Sequence, residues 1–198
     1  MVIRPFRGGD EASLYEVCRR TANSGEDATG HHDDPDLLGH VYIGPYLRLE
    51  PDFALVLADD DGSAGYVIGT PDTRDFEARC ERSWWPPLRQ QYPLESYDEG
   101  DRDFRLVRLL YAPHTPPDDV VAEHPAHLHI DLLPRAQGQG HGRRLMTALF
   151  DRFRAAGAGG VHLGVSRANQ RAIAFYDRLG FAPVADTSAG AILMARRL

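Results

Sequence analysis

The chain contains no lysine: all 22 of its basic residues are arginine. A phosphate-binding P-loop is thereby excluded, because its glycines must run into Lys and then Ser or Thr. The protein also has no lysine of its own to modify. Cysteine is nearly missing. Cys18 and Cys80 stand alone, without the paired spacing of a zinc or redox motif, and read as buried thiols. No stretch approaches the roughly 18 consecutive apolar residues of a membrane span. The start, Met1-Val2-Ile3-Arg4-Pro5-Phe6, lacks the apolar core of a signal peptide. These absences predict a cytoplasmic protein with no membrane partner. Positive charge is in deficit, with a net of −7, which argues against nucleic acid as a partner.

At 198 residues the chain is most simply one domain, residues 1–198, with a core of ordinary size. Its charge is uneven. Residues 135–178 carry eight arginines against Asp151 and Asp177, a net of +6, which leaves −13 for the rest. A basic segment suits an anionic ligand, and an acidic remainder suits a cationic one.

Strands are expected at Val2–Phe6, Phe53–Ala58, Gly65–Gly69, His127–Leu133, Val161–Val165, Phe181–Ala185 and Ala191–Ala195. Asp59-Asp60-Asp61-Gly62 is a hairpin turn signal. Helices are expected at 11–21, 35–41, 72–85 (capped by Thr73 and stopped by Pro86-Pro87), 103–110, 140–156 and 169–179. Strand, helix, strand, helix, strand after residue 127 implies a largely parallel crossover in a mixed sheet. Residues 71–125 look inserted on the substrate side, because Trp84, Trp85, Tyr92 and Tyr97 would be costly to leave in water.

The most informative segment is Gln137-Gly138-Gln139-Gly140-His141-Gly142. It lies between a strand and a helix. Glycines let backbone approach a ligand closely, and the first-turn N–H groups have no partner inside the helix. Free donors at the positive end of a helix dipole suit a pyrophosphate. A dinucleotide fold fits poorly, because the next strand ends Leu163-Gly164-Val165 without the acidic residue that would hold a ribose.

Gln137, Gly140 and Gly142 match the Q/R-x-x-G-x-G/A signature of the GNAT acetyltransferase superfamily. The segment Asn169, Ala172, Phe175, Tyr176, Gly180, Phe181 matches that family's second motif at the right separation. The chain thus resembles GNAT acetyltransferases over residues 127–185 by motif, and throughout by element order. Other stretches, among them Asp34-Pro35-Asp36-Leu37-Leu38-Gly39, Trp84-Trp85 and His127-Leu128-His129-Ile130-Asp131, resemble the acetyltransferase-like C-terminal domains of O-GlcNAcases. The resemblance implies an α/β protein with the GNAT fold: a central mixed, twisted β-sheet of about seven strands flanked by helices. It implies acetyl-CoA as co-substrate, no metal, and an amine acceptor, either a small molecule or a peptide. The alternative is an acetyl-CoA-binding or interaction module with little transferase activity.

By that resemblance the pantetheine arm pairs with the backbone of Leu132 and Leu133. The pyrophosphate lies on the amides of Gln137, Gly138, Gln139, Gly140, His141, Gly142 and Arg143, with Arg135, Arg143 or Arg144 in reach of phosphate. Tyr176 takes the position of the acid that protonates the departing thiolate. Asn169 either caps its helix or touches the cofactor. Alternation on strand 127–133 places His127, His129 and Asp131 on one face, an unusual polar face for a central strand. Asp131 is the first candidate for base or substrate anchor, and His129 the second. A zinc site would need a further ligand at proper spacing. Acceptor contacts are expected from Asp34, Asp36, Tyr46, Tyr66, Trp84 and Trp85, since aromatics with carboxylates suit a cationic or sugar-like amine. Core packing is the competing reading of the two tryptophans.

Overall fold

A computed structural model describes residues 1–187 and 190–198. The strands are β1 (Val2–Pro5), β2 (Leu55–Asp59), β3 (Gly62–Thr70), β4 (Ala126–Leu132), β5 (Gly160–Ser166), β6 (Ala182–Asp186) and β7 (Ala191–Arg197). They form one sheet in the order β1-β2-β3-β4-β5-β7-β6. The expected hairpin joins β2 to β3, with Gly62 at φ 106° in the left-handed region that favours glycine. The expectation of a largely parallel crossover needs correction. Among the described residues only β4 and β5 pair in parallel, because β7 folds back between β5 and β6 and runs antiparallel to both.

The helices are α1 (Glu11–Arg19), α2 (Leu37–Tyr42), α3 (Gly44–Leu49), α4 (Thr73–Arg79), α5 (Trp85–Gln91), α6 (Phe104–Tyr111), α7 (Asp118–Glu123), α8 (His141–Ala155) and α9 (Gln170–Asp177). None of the described helices is long and apolar enough to cross a membrane. The expected single helix over 72–85 is in fact two. A π-helical turn, Cys80–Trp84, separates α4 from α5, and Pro86-Pro87 sit in the first turn of α5 rather than ending a helix. A missing proline N–H is harmless there, since first-turn donors have no helical partner. The cap of α4 is Asp72, whose side chain accepts from the Asp75 N–H at 3.0 Å, not Thr73.

The sheet separates two cores. On one face Val56, Tyr66 and Ile68 pack with Leu14, Leu37, Ile43, Val107 and Leu110 from the α1–α3 and α6 layer. On the other, Leu57, Val67, Leu128 and Leu163 pack under Leu145, Met146, Leu149 and Phe153 of α8. Those α8 positions recur at helical spacing and form one apolar stripe.

One irregularity positions everything that follows. β4 pairs with β3 along its length, from Thr70 opposite His127 to Gly65 opposite Leu132. Its other edge meets β5 only at Ala126–Val161 and His127–His162. Beyond His127 the two central strands splay apart.

Candidate active site

The splay leaves backbone groups without partners in mid-sheet. The Leu133 N–H donates to the Ala64 carbonyl at 2.9 Å, on the β3 side. By alternation, the backbone groups of Ile130 and Leu132 face the β5 side, where no strand among the described residues meets them. Gln137 turns its side chain back to donate to the Leu132 carbonyl at 2.7 Å. Leu133 is less available than the sequence suggests. Its N–H is taken by Ala64, and its carbonyl accepts from the Ala136 N–H at 2.8 Å. Ile130 and the N–H of Leu132 are left open to an extended ligand, the Leu132 carbonyl already accepting from Gln137.

The second element of the site is the head of α8. Among the described residues, the amides from Gly138 through Arg143 donate to nothing. Gly138 and Gly140 have φ of 74° and 78°, and a Cβ on either would meet no atom within 4 Å. These two glycines therefore serve backbone shape. Gly142 serves packing: its Cβ would lie 3.1 Å from the Phe175 ring of α9. Gln139 donates to the Arg135 carbonyl at 2.9 Å, and His141 Nδ1 is buried without a partner. Arg143 and Arg144 are exposed and form no ion pair among the described residues. Arg135 is otherwise engaged, which removes it as a free phosphate contact. It binds Asp59 at 2.9 Å and the Ser63 carbonyl at 3.1 Å, tying the loop after β4 to the β2–β3 hairpin.

The third element is the polar face of β4. Asp131 accepts from the buried Tyr66 hydroxyl. Burial raises the Asp131 carboxyl above the usual range, only partly offset by that bond. His129 is pushed down to about 4 by burial and by His162, and His127 is lowered too, also chiefly by burial. Both imidazoles are neutral near pH 7. The Tyr46 hydroxyl lies 2.6 Å from His127 Nε2 and 3.2 Å from His129 Nε2. Tyr46 stacks on Phe76 of α4 at 4.5 Å between ring centroids. Cys18 lies behind Tyr66, its thiol raised to about 12 by burial, so it is inert as a nucleophile.

Tyr176 belongs to the other core, under α8 and α9. It is buried on α9 between Phe175 and Phe181, with ring centroids at 5.4 and 5.7 Å. Burial, then the charge of Asp131, raises its hydroxyl well above the ordinary phenol value. The hydroxyl therefore keeps its proton and can donate it. Asn169 caps α9, accepting from the Ala172 N–H at 3.0 Å.

The remaining sequence candidates divide. Tyr46 and Tyr66 reach the β4 face. Asp34 and Asp36 do not contact it among the described residues. Asp34 instead accepts from Tyr92 at 2.7 Å and from the Asp36 N–H at 2.8 Å, fastening the loop before α2. The tryptophans pack in the core. Trp85 is buried, and Trp84 donates its indole N–H to the His40 carbonyl at 3.0 Å. Sequence reading missed Thr73, treated there only as a cap, which bonds His127 Nδ1 at 2.8 Å.

A parallel pair that splays beyond His127 and free amides at a glycine-opened helix are the two features of this sheet that suit a long anionic ligand. The chain belongs to the acetyltransferase (GNAT) family, whose model matches residues 24–181. It is 29% identical over 180 residues to protein O-GlcNAcase from Rattus norvegicus, covering 90% of this chain and 20% of that protein. The chain thus spans about a fifth of the length of the O-GlcNAcases it matches. The crystal structure of SsHAT is 39% identical, with a TM-score of 0.90 over 99% of this chain and 97% of that one. The fold is also that of yncA from Salmonella typhimurium, solved with its cofactor acetyl-CoA. Identity there is 19%, with a TM-score of 0.58 over 100% of this chain and 94% of that one.

Proposed function

We propose that the protein transfers the acetyl group of acetyl-CoA to an amine by direct attack in a ternary complex. One observation carries this reading. The partnerless amides Gly138 through Arg143 adjoin the strand edge left open at Ile130 and Leu132. The first is a seat for a pyrophosphate and the second a ladder for the two amides of a pantetheine arm. A donor held at both points directs its thioester into the splay, and this reading assigns Asp131 and Tyr176 to the reacting end.

The chemistry then follows. The amine lone pair attacks the thioester carbon, and the carbon–sulfur bond breaks. Tyr176 gives its proton to the thiolate. The amine's surplus proton passes to Asp131 or His129. Burial has raised the Asp131 carboxyl, which makes it a stronger base than an exposed aspartate. Helices α4 to α7, over residues 71–125, wall the acceptor side, with Thr73 and Phe76 reaching the His127–Tyr46 pair. The acidic balance outside residues 135–178 favours a cationic acceptor, a small amine or a peptide amine. A cytoplasmic setting suits this donor and the two free thiols.

Calorimetry with acetyl-CoA, followed by thiol release across a panel of amines, tests the proposal. Binding with release on at least one amine is expected. Binding without release on any acceptor would identify an acetyl-CoA-binding module instead, and no binding would sink both readings.

A further inference from the structure

Thr73 Oγ1 lies 2.7 Å from the Pro125 carbonyl and 2.8 Å from His127 Nδ1. A carbonyl oxygen only accepts, so at 2.7 Å the hydroxyl proton must point at Pro125; otherwise two lone pairs would face each other. Thr73 is then left as an acceptor toward His127, and His127 carries its proton on Nδ1. His127 Nε2 is therefore a bare lone pair. It accepts from the Tyr46 hydroxyl at 2.6 Å. Having spent its single proton, the Tyr46 oxygen can only accept from His129 Nε2 at 3.2 Å.

We infer that Thr73, His127 and Tyr46 form a one-way hydrogen-bond chain that fixes the tautomer of His129, with the proton on Nε2 and the Nδ1 lone pair turned to the acceptor amine. The chain starts at a backbone carbonyl that cannot reverse its role. It runs through α4, β4 and α3, and Tyr46 is braced by its stack on Phe76. Thr73 is 1% exposed and Tyr46 5%, so water does not compete for these bonds. His129 Nδ1 bonds nothing among the described residues and is not among the buried partnerless atoms, so it remains open to a ligand. Thr73, His127 and Tyr46 are positioning residues acting through His129. The fixed lone pair accepts an amine N–H and orients the nitrogen toward the thioester. This use rests on the amine-transfer reading above; the tautomer itself does not.

Nitrogen-15 NMR of the histidine side chains, on the full chain, separates the two. Wild-type protein is expected to show His127 protonated on Nδ1 and His129 on Nε2, each as a single neutral tautomer. In Tyr46→Phe, His129 should become a mixture, and turnover should fall at least tenfold with the KM for acetyl-CoA unchanged. Thr73→Ser should keep both tautomers, whereas Thr73→Val should release them even if Tyr46→Phe fails to fold. A wild-type His129 protonated on Nδ1 would overturn the inference, as would a His129 tautomer unmoved in both Tyr46→Phe and Thr73→Val. Fixed tautomers in a protein that acetylates no amine would leave the chain standing and sink the transfer reading alone.

Discussion

Tyr176 and Asp131 can be told apart by what their removal does, and His129 by pH. Tyr176→Phe keeps the ring between Phe175 and Phe181 and deletes only the acid. Turnover should fall about 10²-fold or more while calorimetric affinity for acetyl-CoA stays constant; unchanged turnover would remove the acid role. Asp131 carries a sign that separates catalysis from packing. Its folded-state pKa lies above the unfolded value, so the folded state holds the extra proton between the two. Stability therefore falls as pH rises through that window, and the buried carboxylate is a burden at neutral pH. Asp131→Asn should lose most turnover without lowering Tm near pH 7, and a matching loss of Tm would mark Asp131 as structural. The histidines run the other way. His129 titrates at about 4 when folded, against roughly 6.5 unfolded. The unfolded chain binds more protons in that interval. This share of stability is complete above about pH 6.5 and disappears as pH falls toward 4, worth up to roughly 3 kcal/mol, with His127 adding in the same direction. Urea unfolding at about pH 7 and pH 5 checks it; equal free energies at both would contradict the burial of these rings.

At the scale of elements, the glycine turn and α8 were legible because their physics is local. Glycines that need positive φ, an apolar stripe at helical spacing and a strand of alternating character all leave marks in neighbouring residues. Gly140→Asp strains a residue at φ 78° and sets a carboxylate where an anion would sit, so acetyl-CoA binding should fall below calorimetric detection while the fold persists by circular dichroism. Retained affinity would refute the placement. Asn169→Ala should cost about 1 kcal/mol through the lost cap of α9, measurable by denaturation. The region between β3 and β4 was read poorly for the opposite reason. Pro86-Pro87 signal a boundary without saying which side they belong to, and they open α5. Helix α7, six residues long, is too short to show periodicity, as is α3 ahead of β2. Thr73 bonds a partner 54 positions away, and Arg135 one 76 away, so neither role is visible from neighbours in sequence. The tryptophans resemble a substrate cage in sequence because aromatics serve cores and sites alike; only burial separates the two.

Over the whole molecule, arginines concentrate on one segment of an otherwise acidic chain. Such a field draws in an anionic donor and weakens with salt. The KM for acetyl-CoA should rise several-fold between roughly 50 and 500 mM NaCl, and Arg143→Gln with Arg144→Gln should flatten that dependence. An unaltered salt profile in the double variant would show that these two arginines do not face the donor. The seam between β4 and β5 has a mechanical consequence as well. Strand bonding between the β1–β4 plate and the β5–β7 plate is confined to Ala126–Val161 and His127–His162. A pantetheine arm lying along Ile130 and Leu132 would act as a tie across that seam. At a hundredfold excess over its dissociation constant such a ligand adds about 2.7 kcal/mol to stability. The donor would then be part of the scaffold while it is bound, and each turnover would end by cutting the tie that holds the two plates together.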